Sequence, residues 1–166
     1  MNLSGLGVRS LESLRELNLR SLDLRETEAA DLSPLVGLNL EELSVAPSTS
    51  KLAGLRVDNL RVLDLRGSQV ADLGPLAAAK GLEKLWLDNT PVQDLEPLRG
   101  LPLKLLHVDA PGVKNFDVIG SLAQLEEISL PEKAAGVPVA GLASLKKVRH
   151  PRFQFTGDIE IGRAHV

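Results

Sequence analysis

Three side chains near the middle of the chain could together perform acid–base chemistry. Asp88, His107 and Asp109 combine two carboxylates with an imidazole, a set of groups that can form and orient a general base. Asp88 and Asp109 could instead bind a cation, although hard cations prefer more than two oxygen ligands. The two aspartates lie 21 positions apart, and so do Trp86 and His107. This shared spacing indicates that a repeating structure positions all four residues.

A leucine pattern with a period of 20 to 22 residues runs through the whole chain. A period of about 20 to 29 residues with the motif L-x-x-L-x-L is the signature of a leucine-rich repeat. The copies begin at Leu19, Leu40, Leu60, Leu82, Leu103 and Leu125, with an earlier copy at Leu3 and a degenerate copy at Leu145.

Each copy predicts a short strand whose fourth and sixth positions face the core and whose third and fifth positions face outward. A second segment, D-L-x-P-L, begins at Asp31, Asp72 and Asp94, and its leucines should close the core from the far side. Proline suits the first turn of a 3₁₀ helix, and the aspartate can cap that turn. A hydroxyl side chain between strand and turn is expected to bond the backbone of neighbouring coils, at Thr27, Ser48, Ser68 and Thr90.

One such coil cannot bury its apolar residues alone, so the coils must stack. We therefore predict a leucine-rich-repeat solenoid of the α/β class, with a parallel β-sheet on the concave face and short 3₁₀ or helical turns on the convex face. Its seven or eight coils would form one domain over residues 1–159. The composition agrees, because 43% hydrophobic but only 2% aromatic residues indicate many small aliphatic slots.

The full unit, L-x-x-L-x-L-x-x-T-x-V-x-D-L-x-P-L-x-x-L, resembles the bacterial internalin-like class of leucine-rich repeat. Residues 82–101 match it almost position for position, and the resemblance extends from Leu11 to His150. The stretches from Leu98 and from Leu125 also resemble arrays attached to bacterial serine/threonine kinases. The resemblance implies a binding module, since such arrays serve adhesins, regulatory subunits and accessory domains alike. The kinase motifs H-R-D and D-F-G are absent from the sequence.

Outward positions of adjacent copies form a cluster around the single tryptophan of the chain. A tryptophan on an exposed face is a typical energetic centre of a protein interface. The alternatives are a Trp86 that packs on neighbouring coils without a partner, and solvated carboxylates at Asp88 and Asp109 that Arg66 partly neutralises. The predicted partner-binding residues are Val62, Asp64, Arg66, Lys84, Trp86, Asp88, Leu105, His107 and Asp109.

These residues favour a protein-protein interaction module, within a larger bacterial signalling or regulatory protein, whose protein partner binds the concave face. An extracellular adhesin-type array is the second hypothesis. An enzyme that uses Asp88, His107 and Asp109 is the third, and it lacks a Ser or Cys nucleophile in a strained turn. We expect no catalytic residue, no bound metal and no cofactor.

The overall charge and composition exclude several other classes. The formal net charge of −3, with 19 basic and 22 acidic residues interspersed, supplies no basic footprint for nucleic acid. No apolar run approaches the length of a membrane span. The chain contains no cysteine, which fits a reducing compartment, so we expect a cytoplasmic protein.

The last residues indicate a tail that is foreign to the fold. The sequence I-G-R-A-H-V at 161–166 is the translation of a common sequencing adapter, ATC-GGA-AGA-GCA-CAC-GTC, whose next triplet is a stop. We therefore expect residues 160–166 to be a non-native, adapter-encoded tail and the native protein to continue past Ile159. Phe153 and Phe155 are expected to cover the apolar end of the last coil.

Overall fold

In the part of the chain that the structure describes, eight short strands form a single sheet in the order in which they follow one another in the sequence. The computed structural model describes residues 1–132, 137, 143–150 and 153–155, with only the backbone of 150 and 153–155. Strands β1 to β7 are parallel, and β8 pairs antiparallel with β7. The strands are β1 (Ser21–Asp23), β2 (Glu42–Ser44), β3 (Val62–Asp64), β4 (Lys84–Trp86), β5 (Leu105–His107), β6 (Glu127–Ser129), β7 (Lys147–His150) and β8 (Phe153–Phe155).

Short 3₁₀ helices lie on the far side of the coils, as the D-L-x-P-L segments predict. Within the described residues they span Glu12–Leu14, Ser33–Leu35, Gly74–Ala78, Glu96–Leu98 and Phe116–Ser121. The aspartates of these segments bond the first residue of the helix: the Gly74 N–H donates to Asp72 Oδ1 at 2.7 Å, and the Glu96 N–H to Asp94 Oδ1 at 2.8 Å. Each aspartate therefore caps its helix as predicted, by accepting the backbone N–H two residues after it in an Asx turn.

The core is one continuous aliphatic stack that runs from Leu11 to Leu145. In the central coil Leu85 and Leu87 are fully buried at the fourth and sixth positions of the motif, while Leu95 and Leu98 close the coil from the helical side. Among the described residues, every buried side-chain nitrogen or oxygen has a hydrogen-bond partner. The predicted leucine-rich-repeat solenoid is confirmed, and its alternation places the third, fifth and seventh positions of the copies on the outward side of the sheet, except at Ala46, which is buried. We call these outward positions the strand face.

Three of the turns that follow the strands contain a left-handed residue, and a departure from this pattern in the second coil corrects one predicted position. Glu26, Gly67 and Asn89 occupy equivalent places and have φ of 59°, 70° and 57°. Pro47 stands at that place in the second coil, and its ring holds φ near −65°, so the turn contains one more residue. Thr49 is buried there, and Ser48 is exposed.

The hydroxyl side chains bond the backbone in two different ways. Thr27 Oγ1 and Thr90 Oγ1 donate to the carbonyls of Leu24 and Leu87 in their own coils, at 2.7 and 2.6 Å. Thr49 differs from these two, because its hydroxyl donates to a backbone carbonyl of the preceding coil at 3.4 Å. Most of these hydroxyls were expected to bond neighbouring coils, but Thr27 and Thr90 bond their own coil and stabilise the turn that follows the strand.

An alternating row of charges links successive coils at the second position of the motif. Glu83 in the fourth strand's coil pairs with Arg61 on one side at 2.6 Å and with Lys104 on the other at 3.1 Å. Arg20 and Glu41 pair at 3.0 Å near one end of this row. Opposite charges on adjacent coils favour the register in which the coils stack. The row, called the charge ladder below, comprises Arg20, Glu41, Arg61, Glu83, Lys104, Glu126 and Lys146.

Candidate functional site on the strand face

The nine residues predicted to form the site lie on three adjacent coils. Strands β3, β4 and β5 pair so that Lys84 lies between Val62 and Leu105, and Trp86 lies between Asp64 and His107. The remaining three follow the ends of these strands at the seventh position of the motif, namely Arg66, Asp88 and Asp109. Sequence alignment of the copies therefore gives the correct neighbours across the sheet.

Trp86 is half-buried between a cation and a second ring. The Arg66 guanidinium carbon lies 5.8 Å from the centroid of the Trp86 ring, within the range of a cation–π contact. On the other side the His107 ring lies 6.1 Å from the Trp86 ring, centroid to centroid, at an interplanar angle of 72°. This edge-to-face contact is a favoured geometry for two rings. The two neighbours fix the orientation of the indole on the strand face.

Arg66 is itself held by Asp64. The guanidinium donates to both carboxylate oxygens of Asp64, at 2.9 and 2.6 Å, and this hydrogen bonding raises the pKa of Arg66. Asp64 is only 6% exposed although it occupies an outward position. The main partner of Arg66 is therefore Asp64, with which it forms a bidentate pair, while Asp88 interacts with the guanidinium more weakly through its charge.

His107 lies between two carboxylates that belong to neighbouring coils. Its Nδ1 is 3.8 Å from Asp88 Oδ2, and its Nε2 is 3.4 Å from Glu127 Oε1. Burial raises the pKa of Glu127, but hydrogen bonds from Lys147 and His107 outweigh burial and lower that pKa overall. Both ring nitrogens thus face carboxylates, and the imidazole joins Trp86 to the acidic side of the strand face.

The Asp88 carboxylate is engaged by the next coil. Its Oδ1 accepts the backbone N–H of Asp109 at 3.2 Å, while the Asn89 N–H donates to the Asp109 carbonyl at 2.9 Å. Within the part of the chain that the structure describes, no group of three or more potential ligands could hold a metal ion. The pair of aspartates therefore serves here as a junction between two coils and as a source of negative charge.

Glu127 belongs to the cluster, although the sequence did not place it in the site. Besides His107, it contacts Lys147 at 3.0 Å and Arg149 at 3.3 Å, both on strand β7. Its position in the motif could have predicted its place on the strand face, because Glu127 is the third residue of the copy from Leu125, one coil beyond His107. Its link to the histidine depends on side-chain conformation, which the spacing of the motif does not specify.

Comparison with known proteins agrees with the geometry of the coils. The family described as "Leucine Rich repeats (2 copies)" matches residues 58–100. An internalin (inlF) from Listeria monocytogenes aligns with 89% of this chain at 27% sequence identity and a TM-score of 0.73. Internalin C2 (inlC2) of the same organism aligns with 87% at 28% identity and a TM-score of 0.75. The chain folds as a leucine-rich-repeat solenoid similar to those of these internalins.

This internalin-like array spans 46% of the length of the first of these internalin chains and 67% of the second. No curated protein sequence matches it. Over the described residues, none of the helices has both the length and the apolar character needed to cross a bilayer. Stacked repeats of this kind present an extended surface to other proteins, and the internalin-like array is a protein-interaction repeat module.

Proposed function

We propose that this internalin-like array binds a protein partner through its strand face, with Trp86 at the centre of the contact. The observation that supports this proposal is the placement of the sole tryptophan, half-buried and outward, between Arg66 and His107. Tryptophan and arginine are the residues most enriched at the energetic centres of interfaces.

The rigidity of the cluster adds to the proposal. Arg66 is clamped by Asp64, and His107 lies between carboxylates at 3.8 and 3.4 Å. A surface whose side chains are already ordered loses little conformational entropy when a partner binds. Trp86 and His107 also stand on paired strands, and Arg66 follows the end of β3 directly, so the stack fixes the backbone below them.

Catalysis is not part of the proposed function. The Nε2 atom of His107 faces Glu127 at 3.4 Å, so the ring is not aimed at a nucleophile. Ser129 lies opposite His107 in the sheet, but it occupies a regular strand and not a strained turn. The cluster has the composition of a contact surface, with an aromatic centre and charged neighbours.

Selection of binding peptides tests the proposal without a known partner. Random linear peptides displayed on phage are selected on the immobilised chain, and the binders are then titrated against Trp86→Ala and against Val36→Ala. Val36 is 52% exposed and follows a 3₁₀ helix on the opposite side of the coil. We expect Trp86→Ala to weaken the dominant binders by at least about tenfold, the loss that is typical of a hot-spot residue, and Val36→Ala to leave them unchanged.

The intrinsic fluorescence of wild-type protein provides a second readout, since Trp86 is the only tryptophan. Its emission should shift when a peptide covers the strand face. Peptides that bind Trp86→Ala as tightly as the wild type and do not change the tryptophan emission would contradict the proposal, because they bind another surface. Circular dichroism of both variants confirms that neither substitution alters the fold.

The place of the array in a larger bacterial signalling or regulatory protein is a separate part of the proposal. It rests on the resemblance of the stretches from Leu98 and Leu125 to arrays attached to bacterial kinases. Sequencing the source DNA across both ends of the reading frame tests it. A kinase or other signalling domain in frame supports the proposal, whereas a secretion signal with a surface anchor favours an adhesin-type array.

A further inference from the structure

Among the nine residues of the predicted site, which the structure describes in full, two charged side chains form no ion pair. They are Lys84 and Asp109, and both are exposed. Other charges of this face are neutralised internally: the Arg25–Asp23 and Arg66–Asp64 pairs each have a contact of 2.6 Å. Unlike these, Lys84 and Asp109 can offer their full charge to a partner.

The two free charges stand on opposite sides of the aromatic centre. Lys84 begins strand β4 and lies opposite Leu105, while Asp109 follows four residues after Leu105 on the neighbouring coil. The bond from the Asn89 N–H to the Asp109 carbonyl shows that the two coils remain paired to this point. A strand rise of about 3.3 Å per residue and a strand spacing of about 4.8 Å therefore place the two Cα atoms about 14 Å apart.

The surroundings of the two charges differ, so the two ends of the site favour ligand groups of opposite charge. Lys84 is flanked by the half-buried side chains of Val62 and Leu105, so an acidic group bound there is partly shielded from water. Asp109 lies beside Asp88, whose carboxylate accepts the Asp109 amide, so this end of the face carries two negative charges. On the three coils of the site, the face is thus positive and apolar at one end, aromatic in the middle and negative at the other end.

We propose that the segment bound by the strand face is an extended stretch of the partner protein that carries an acidic and a basic residue four positions apart, with an apolar residue between them. Four residues of extended chain span about 13 Å, which matches the separation of Lys84 and Asp109. The acidic residue pairs with Lys84, the apolar residue covers Trp86 and the basic residue pairs with Asp109. This inference rests on the proposed function, since it specifies the ligand of the same surface.

The sequences of the selected peptides give the first test. Binders that depend on Trp86 should be enriched in opposite charges at a separation of four positions, in either order along the peptide. Their affinity should fall as salt is raised from 0.05 to 0.5 M, because both pairs are exposed to solvent.

Charge reversal on the array gives the decisive test. Lys84→Glu should weaken such a peptide by about threefold to tenfold, and a peptide with lysine in place of its acidic residue should recover the loss on this variant. Lys80→Glu is the matched control, because it changes the net charge equally at an exposed position after a 3₁₀ helix. Asp109→Asn is compared in the same way with Asp58→Asn, and its effect should disappear when the basic residue of the peptide is made neutral.

The outcomes separate the two proposals. Binders that depend on Trp86 but respond equally to Lys84→Glu and Lys80→Glu overturn the charge pattern and leave the proposed function standing. Binders that do not depend on Trp86 overturn both. Recovery of affinity by the charge-exchanged peptide supports both, because only a direct pairing with position 84 produces it.

Discussion

Thr90 illustrates how one hydroxyl group supports the turn that presents the strand face. Its side chain is 5% exposed, and its Oγ1 donates to the Leu87 carbonyl at 2.6 Å. The backbone N–H of Thr90 bonds the same carbonyl more weakly, at 3.3 Å. The hydroxyl therefore supplies the shorter of the two bonds that close the turn after Trp86.

Thr90→Val should lower the free energy of unfolding by about 0.5–1.5 kcal/mol, because the shape is kept while a buried hydrogen bond is lost. Urea denaturation followed by circular dichroism measures the change. Ser48→Ala is the control: Ser48 is exposed, so its substitution should stay within about 0.5 kcal/mol. A Thr90→Val protein as stable as the wild type would show that the hydroxyl bond does not stabilise the turn.

At the same scale, the site shows what a motif can and cannot specify. Trp86 and His107 are correctly predicted neighbours, because side-chain alternation and copy spacing are local properties of the sequence. The partner of Arg66 was not predicted, because Asp64 and Asp88 are both within reach of a flexible guanidinium. The choice depends on the bidentate geometry that the turn after β3 allows.

Between neighbouring coils, the charge ladder stabilises the stack mainly above acidic pH. Glu83 accepts hydrogen bonds from Arg61 and Lys104, and these bonds lower the pKa of Glu83 below its ordinary value of 4.5. A carboxyl whose pKa is lower in the folded state contributes stability above its unfolded pKa and loses this contribution as the pH falls through the folded pKa. The ladder should therefore weaken progressively below about pH 4.5, which is also where other paired carboxylates are protonated.

Glu83→Gln should reduce the pH dependence of stability. The variant cannot gain from ionisation at position 83, so its urea midpoint should lie below that of the wild type at pH 7 and approach it near pH 2.5. Glu16→Gln, which changes an exposed glutamate outside the ladder, should shift the midpoint equally little at both pH values. If the Glu83→Gln and wild-type midpoints differ equally at both pH values, ionisation of Glu83 is not the source of the difference.

At the scale of elements, the sequence predicted the strands and the proline-containing helices but not the charge ladder. The strands follow from leucine spacing, and three of the five 3₁₀ helices in the described residues follow from proline, since both signals depend on a few neighbouring residues. The alternation of sign from Arg20 to Lys146 was present in the same alignment, but it becomes visible only when the second position is compared across all copies. The shift from Ser48 to Thr49 was missed for a different reason, because it follows from the fixed φ of Pro47.

The coils form a linear stack, and this arrangement determines how far a destabilising substitution affects the other coils. Each coil contacts only the coils beside it, so stability is approximately a sum of coil and interface contributions. Strand β1 pairs with the strand β2 on one side, whereas on its other side residues 1–5 bond its backbone without forming a strand. Strand β4, which carries Trp86, has complete strands on both sides.

The same core substitution should therefore destabilise fewer coils at the edge strand β1 than at the central strand β4. Leu22 and Leu85 occupy the same position of the motif and are 1% and 0% exposed, so either Leu→Ala change should cost about 2–5 kcal/mol by cavity formation. In hydrogen exchange at low denaturant, Leu22→Ala should speed exchange in β1 and its neighbour while β4 to β6 stay protected. Leu85→Ala removes support from the coils on both sides, so protection should fall throughout the array, including the strand face.

Leu17→Ala is the control for both variants. Leu17 is 39% exposed, so its substitution should leave the pattern of protection unchanged. Equal loss of protection in both core variants would mean that the array unfolds as one cooperative unit, and the partner surface would then depend equally on every coil.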